Sequence, residues 1–265
     1  MRIQSATEPG TPGLPDEDYV AAATPASGAG GALVLLDGVT APTDAVGCRH
    51  SVAWFSSRLG GALLELLGSR AEMSPASCLA EAIGRTADAH RETCDLSHRR
   101  TPQATVVCAR WTAETVEYLV LSDSALLIED QEGEIHPVLD TRLDDLRPAA
   151  LRLPRGERAA FVEGLRNMPG GFFTAAADPA VAELAVTGAL PRSRVRSLVA
   201  LSDGLGRWVE TFGLGNWADL FSVLIADGPQ AAIRQVREAE AADPAGTAYP
   251  RGKTHDDASV LLAEL

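Results

Sequence analysis

The chain predicts an α/β sandwich built on antiparallel sheets, and three observations carry that expectation. Strand-like segments occur near both ends and in the middle of the 265 residues, and helical periodicities come in pairs between them. Consecutive strands also lack the crossover helices that a parallel, Rossmann-type order needs. Residues 1–15 are polar and Pro/Gly-rich and are expected to be a flexible arm ahead of a single domain, 16–265. Positions 18–23 and 32–36 are two strands around the turn Ser27-Gly28-Ala29-Gly30-Gly31. That turn lacks a Gly-Lys-Ser/Thr ending and leads into a strand, so it is a hairpin turn rather than a phosphate cradle. A helix follows over 47–67, with Val52, Phe55, Leu59, Leu63 and Leu66 at helical spacing, and a second over 75–92.

Segments 104–111, 115–121, 125–128 and 135–139 are β-branched or apolar and joined by short turns, the pattern of an antiparallel meander. Region 140–192 is less regular, with helices near 155–166 and 179–187 around Asn167-Met168-Pro169-Gly170-Gly171. A buried strand at 195–201, helices over 204–212, 217–225 and 230–241, and a last strand at 258–263 complete the chain. No internal repeat and no interdomain linker is visible.

Hydrophobic residues make up 46% of the chain, enough for a substantial core. The 36 acidic and 23 basic residues leave a net charge of −13, and aromatics are only 5%. An acidic surface with few stacking platforms argues against a nucleic-acid partner. No apolar run is long enough to span a bilayer, so no membrane partner is expected. Residues 1–13 show neither the basic start nor the apolar middle of a signal peptide, which sets a cytoplasmic location as the expectation. Cys48, Cys78, Cys94 and Cys108 show no CxxC pairing and no zinc-ligand spacing, and read as reduced thiols packed as small hydrophobes. His90 and His98 flank Cys94-Asp95, but with no second cysteine nearby in sequence a soft-metal site is set aside there.

The chemistry-bearing feature is a set of four acidic signatures, each beside a hydrophobic run. They are Asp37-Gly38 after Leu33-Val34-Leu35-Leu36, Ser122-Asp123-Ser124 after Leu119-Val120-Leu121, Ser202-Asp203-Gly204 after Val199-Ala200-Leu201, and Asp256-Asp257-Ala258-Ser259-Val260. A strand that delivers a carboxylate to its tip incurs a desolvation cost unless a cation compensates. Any one of these aspartates reads equally as a turn residue or helix N-cap; Asp203, ahead of Gly204-Leu205-Gly206-Arg207, would cap a helix well. Four together suggest a fold that gathers aspartates around hard metal ions.

Taken in order, these signatures resemble those of the metal-dependent protein phosphatases of type 2C, over about residues 16–263. Asp16-Glu17-Asp18 falls where that family has Asn-Glu-Asp, and Thr105 in Ala104-Thr105-Val106-Val107 resembles its Gly-Ser-Thr strand. Ser122-Asp123-Ser124 resembles its Gly-Asp-Ser, and the other three signatures follow its Asp-Gly, Ser-Asp-Gly and terminal Asp-Asn/Asp motifs. The resemblance implies a four-layer αββα sandwich of two antiparallel sheets flanked by helices, with 140–192 as a variable flap. It implies Mn²⁺ or Mg²⁺ as cofactor, hard ions that prefer oxygen ligands. Asp37 would bridge two ions with the Gly38 carbonyl as a further ligand, and Asp203 and Asp256 would complete the first. Glu17 would hold coordinated waters, and Asp123 with Asp203 would form a third, weaker site. The activity implied is hydrolysis of phosphoserine or phosphothreonine by direct attack of a bridging hydroxide.

The pattern is broken at the substrate end. The family's phosphate-binding Arg is replaced by Gly13-Leu14-Pro15, its Asp-Gly-His/Met by Asp37-Gly38-Val39-Thr40-Ala41, and the Arg after Gly-Asp-Ser by Ala125. Arg49-His50 offers a replacement for both clamp and proton donor; an exposed Arg and a packed His fit the same positions. Asn167 and Asp178 in the flap are candidate substrate-binding residues, although a helix start at Asp178-Pro179 explains the latter as well. The expected partner is a phosphorylated protein or a small phosphate monoester. The competing readings are a catalytically silent binding or scaffold domain, and an enzyme reusing the cage on a phosphorylated metabolite.

Overall fold

Three separate apolar clusters, rather than one, set the architecture. In strand β3 (Gly31–Leu36) successive side chains point to opposite faces. Val34 and Leu36 join Phe55, Leu59, Leu63, Leu79 and Ile83 in a first cluster. Leu33 and Leu35 join Val107, Val120, Leu198 and Leu261 in a second. The third gathers Val199, Leu201, Val260 and Leu262 with Trp208, Leu220, Ile233 and Val236. A strand buried on both faces needs a neighbour on each, so three cores require four layers: helices, sheet, sheet, helices. The computed structural model describes residues 1–40 and 47–265, and this αββα sandwich is the architecture predicted.

Both sheets have five strands and are antiparallel throughout. One runs β2 (Tyr19–Ala23), β3, β4 (Val106–Trp111), β5 (Thr115–Leu121), β8 (Val186–Pro191). The other runs β1 (Arg2–Glu8), β10 (Ala258–Glu264), β9 (Val195–Leu201), β6 (Ala125–Asp130), β7 (Ile135–Val138). Helices α1 (Val52–Ser69) and α2 (Pro75–Asp88) cover the first sheet. They start at Ser51 and Ser74, whose side chains accept from Trp54 N and Ser77 N. Between β7 and β8 in sequence the chain forms α3 (Arg142–Leu151), α4 (Arg155–Gly164) and a 3₁₀ turn, Pro179–Leu184, whose Val181 and Ala182 join the first cluster. The second sheet is covered by α5 (Asp203–Glu210), α6 (Trp217–Ala226), opened by an Asn216/Asp219 capping box, and α7 (Pro229–Ala242). Among the described residues no helix is long and apolar enough to cross a membrane.

Several expectations need correction. Residues 2–8 are not a loose arm: they form β1, paired with β10 from Arg2↔Glu264 to Glu8↔Ala258. An edge strand satisfies its backbone on one neighbour and needs little apolar patterning, which is why composition alone reads it as an arm. The meander is split, with β4 and β5 in one sheet and β6 and β7 in the other. The chain changes sheets at Ser122, whose φ of +71° makes the break. Edge strand β8 lies inside the region read as irregular, and the first helix starts at Val52 rather than at 47.

Candidate functional site

The strand ends that carry the acidic signatures meet at one edge of the sandwich. Asp37 leaves β3 held by the Thr105 hydroxyl, which accepts from Asp37 N at 3.3 Å, while Thr105 N donates to Asp37 O at 2.9 Å. Thr105 Oγ1 and Ser124 Oγ lie 2.6 Å apart, which links the Asp37 strand to the Ser122-Asp123-Ser124 turn. Gly38 has to be glycine: a Cβ there would meet Glu17 O and Val52 Cγ1, each at 2.5 Å. Gly204 is equally constrained, because a Cβ would run into the Asp257 carbonyl. Asp203 is therefore fixed beside the terminal Asp256-Asp257 pair. The helix N-cap is Ser202, not Asp203, and its hydroxyl accepts from Ser259 N at 2.9 Å instead of capping the helix.

The Asp37 and Asp203 side chains interact directly, and each shifts the other's ionisation, raising Asp37 and lowering Asp203. Burial, then the charges of Asp203 and Asp18, push the Asp37 carboxyl well above the usual range. Asp203 is raised to about 7 by burial, then Asp256 and Asp123. Burial also raises Asp123. Glu210, at the end of α5, is raised to about 7 by burial and by Asp144, Asp123 and Asp203. Such a concentration of carboxylates lacks the positive charge that would balance it.

Asp18 shows most clearly that these residues fit a cation. Both its carboxylate oxygens are buried with no hydrogen-bond partner. Burial and the neighbouring Asp16, Asp257 and Asp203 raise it well above its ordinary value. The sequence expectation favoured Glu17. Glu17 instead takes a hydrogen bond from the Thr40 hydroxyl at 2.7 Å, at the rim, because adjacent residues in extended chain face opposite ways. Oxygen-only donors, orphaned buried oxygens and raised carboxyl pKa values fit Mg²⁺ or Mn²⁺. Asp16, Asp18 and Asp257 bring carboxylate oxygens within 4.8 Å of one another, but Asp257 also accepts from Gly10 N and Glu17 N, both at 2.8 Å, and so anchors the chain after β1.

Two cations missed in the sequence reach Asp256. Arg207 donates to one carboxylate oxygen at 2.7 Å and Lys253 to the other at 2.6 Å. Lys253 also donates to Thr40 Oγ1 at 2.9 Å, and Asp256, Asp37 and Asp203 raise its pKa against the effect of burial. Arg207 is buried and additionally pairs at 2.7 Å with Glu240, which is fully buried. Arg207→Ala strands part of that charge, so a loss of about 3 kcal/mol in unfolding free energy is expected from urea denaturation.

The proposed substitutes for the lost clamp lie elsewhere. His50 stacks on Trp54 at 4.0 Å, with its Nδ1 3.6 Å from Cys48 Sγ and 3.4 Å from Cys94 Sγ, and it has no contact with the aspartates. Arg49 is exposed beside it. Ala41, the last residue of the altered Asp-Gly segment, lies outside the described residues. Asn167, in a left-handed conformation at φ +54°, uses its side chain on Thr174 N, Thr174 Oγ1 and Gln103. Asp178 caps the 3₁₀ turn by accepting from Ala180 N at 3.0 Å. Both shape the flap rather than reach the aspartates. His255 accompanies Glu240 at 2.8 Å. Cys78 and Cys108 are buried in the first core as expected.

Next to the aspartates a cleft of ≈ 400 Å³ runs between the chain leaving Gly38 and helix α4. Val39, Thr40, Gln103, Arg100, Glu163 and Arg166 help line it. Arg166 pairs with Glu163 at 3.2 Å, lies over the Phe172 ring at 4.8 Å, and favours the charged form of Asp123 against burial. One wall of this cleft is therefore contributed by the region expected to act as a flap.

The architecture is that of serine/threonine phosphatases of type 2C. The Stp1 phosphatase of Staphylococcus aureus matches with a TM-score of 0.61 at 14% identity, over 99% of this chain and 94% of that one. The catalytic domain of the serine/threonine protein phosphatase PstP, solved with two manganese ions, matches with a TM-score of 0.61 at 16% identity, over 99% and 97%. A C. elegans sex determining protein has the same fold, with a TM-score of 0.59 at 14% identity over 98% of this chain and 64% of that one. No protein-family model and no curated protein sequence matches the chain.

Proposed function

We propose that this protein is a Mg²⁺- or Mn²⁺-dependent phosphatase acting on phosphoserine or phosphothreonine esters. The observation that carries the reading is the carboxylate cage: Asp18, with two orphaned oxygens, beside the interacting Asp37 and Asp203. Asp37, the Gly38 carbonyl, Asp203 and Asp256 would hold two ions, with Asp18 facing them and Asp123 available to a third. Ions held there supply Lewis acidity, lowering the pKa of water and neutralising phosphate charge. The rest falls to the chain itself. Thr105 and Ser124 hold Asp37 in place from behind. Lys253, with an exposed side chain anchored on Asp256 and Thr40, is the ammonium nearest the cage and donates to phosphate oxygens in place of the missing Arg. Arg166 and Arg100 give the adjoining cleft the positive groups that a phosphorylated peptide requires.

The silent-domain reading draws on one observation. Arg207 and Lys253 occupy both oxygens of Asp256, as salt bridges would in a cage that no longer binds metal. The two readings separate at Lys253. In the enzyme, Lys253→Ala raises KM for an aryl phosphate about tenfold, the cost of one charge-assisted contact, while Mn²⁺ affinity does not weaken because a competing cation is gone. The direct test is turnover of an aryl phosphate and a phosphothreonine peptide with Mn²⁺, with Mg²⁺ and with chelator. Turnover that needs the cation supports the proposal, and none with either substrate in saturating Mn²⁺ overturns it.

A further inference from the structure

Two short segments, distant in sequence, converge at the end of the first helical layer where α1 begins and α2 stops. Cys48 and His50 immediately precede α1, and His90 and Cys94 follow α2. Cys48 Sγ lies 3.1 Å from Cys94 Sγ and 3.5 Å from His90 Nδ1. His50 Nδ1 lies 3.6 Å from Cys48 Sγ and 3.4 Å from Cys94 Sγ. One donor atom from each of the four residues falls within 4.8 Å of all the others. A tetrahedron with Zn–S near 2.3 Å and Zn–N near 2.0–2.1 Å has S···N edges of about 3.6 Å and an S···S edge of about 3.8 Å. The sulfur–nitrogen distances already match those edges, and the two sulfurs need to separate only slightly.

The surroundings suit a metal-binding role. His90 is 3% exposed, an unusual place for an imidazole with nothing to do. Trp54 stacks on His50 and lies 5.2 Å from His90, packing an indole against both imidazoles. His50 N donates to Cys48 Sγ at 3.4 Å, and Asp95 N donates to Gly47 O at 2.7 Å, tying the two segments together. Gly47 takes φ +71° with His98 packed where a Cβ would go, so the approach is built into the backbone. A disulfide would account for the two sulfurs but not for two imidazoles aimed at them.

We propose that Cys48, His50, His90 and Cys94 form a structural Zn²⁺ site. Two thiolates and two neutral imidazoles balance the ion's charge, and four protein ligands leave no open position for catalysis. Donor chemistry keeps the two centres apart: sulfur and imidazole select Zn²⁺ here, while the carboxylates of the cage select Mg²⁺ or Mn²⁺. The site would close the α1–α2 pair into a loop and fix the segment that leads into α1. This corrects the expectation that Cys48 and Cys94 are merely packed thiols. The second cysteine that a soft-metal site requires comes from 46 positions away.

The test uses the whole chain purified under reducing conditions. About one zinc per chain by elemental analysis is expected, with a Tm lower by on the order of 10 °C after removal by a zinc-selective chelator. Co²⁺ added to the zinc-free protein should give thiolate-to-cobalt charge transfer and tetrahedral ligand-field bands, with the charge-transfer intensity reduced to about half in Cys94→Ser, which removes one of two thiolates. Because Cys94→Ser can fail to fold, the cobalt spectrum of the unsubstituted protein decides on its own. No zinc together with no thiolate–cobalt band, or a Cys48–Cys94 disulfide in protein prepared with zinc present, would overturn the proposal. Neither readout depends on phosphatase activity.

Discussion

Asp37→Asn is expected to eliminate Mn²⁺-dependent hydrolysis while making the metal-free protein more stable. Removing a carboxylate that, on the proposed function, would hold the ions should forfeit several kcal/mol of transition-state stabilisation, a fall in kcat/KM of about 10³-fold or more. The same substitution relieves like-charge crowding, since burial, then the charges of Asp203 and Asp18, push the Asp37 pKa well above the usual carboxylate range. An amide of equal shape keeps the hydrogen bond to Asp203 and carries no charge, so the metal-free Tm should rise by a few degrees. A residue retained for packing behaves in the opposite way, because its replacement lowers Tm. Opposite movements of stability and activity identify Asp37 as held in place for function at a cost to the fold. Calorimetric melts and steady-state kinetics on the same preparations check both halves.

The second large effect is in pH. Burial, then the charges of Asp256 and Asp123, push the Asp203 carboxyl up to about 7, far above the usual carboxylate range. Glu210, also raised to about 7, and Asp37 and Asp18, both raised, act in the same direction. The folded state then binds more protons than the unfolded state between about pH 4 and 7, so stability is full at the low end of that window and is lost as pH rises. Arg207 and Lys253, which face Asp256, offset part of the loss. The metal-free protein should melt on the order of 5–10 °C lower at pH 8 than at pH 5. Mn²⁺ competes with the same protons, so the Tm increase it causes should be large at pH 8 and small at pH 5. A melt series at both pH values, with and without Mn²⁺, checks the sign.

What could be read from the sequence follows from how local each signal is. Strands β3, β9 and β10, buried on both faces, announce themselves as continuous apolar runs, and α1 by Phe55, Leu59, Leu63 and Leu66 on one face. Edge strands β1 and β8 carry half-exposed, mixed side chains, and their partners lie far along the chain, so no local pattern marks them. The transfer of β6 and β7 to the other sheet depends on one residue, Ser122, taking a positive φ. The aspartates were legible because each ends a strand beside a small residue. Lys253 was not, since a lysine in a polar loop looks like any other until the loop folds Asp256 and Thr40 against it. The Cys48–His50 and His90–Cys94 pairs are each unremarkable in sequence, and only the packing of α1 on α2 brings them together.

The most direct test of the carboxylate cage is a calorimetric Mn²⁺ titration at pH 8 of the zinc-replete protein and of its Asp37→Asn and Asp203→Asn variants. The account predicts at least two Mn²⁺ per chain for the unsubstituted protein, with binding abolished or greatly weakened in both variants. No binding to the unsubstituted protein, or equal binding to Asp37→Asn, would contradict it.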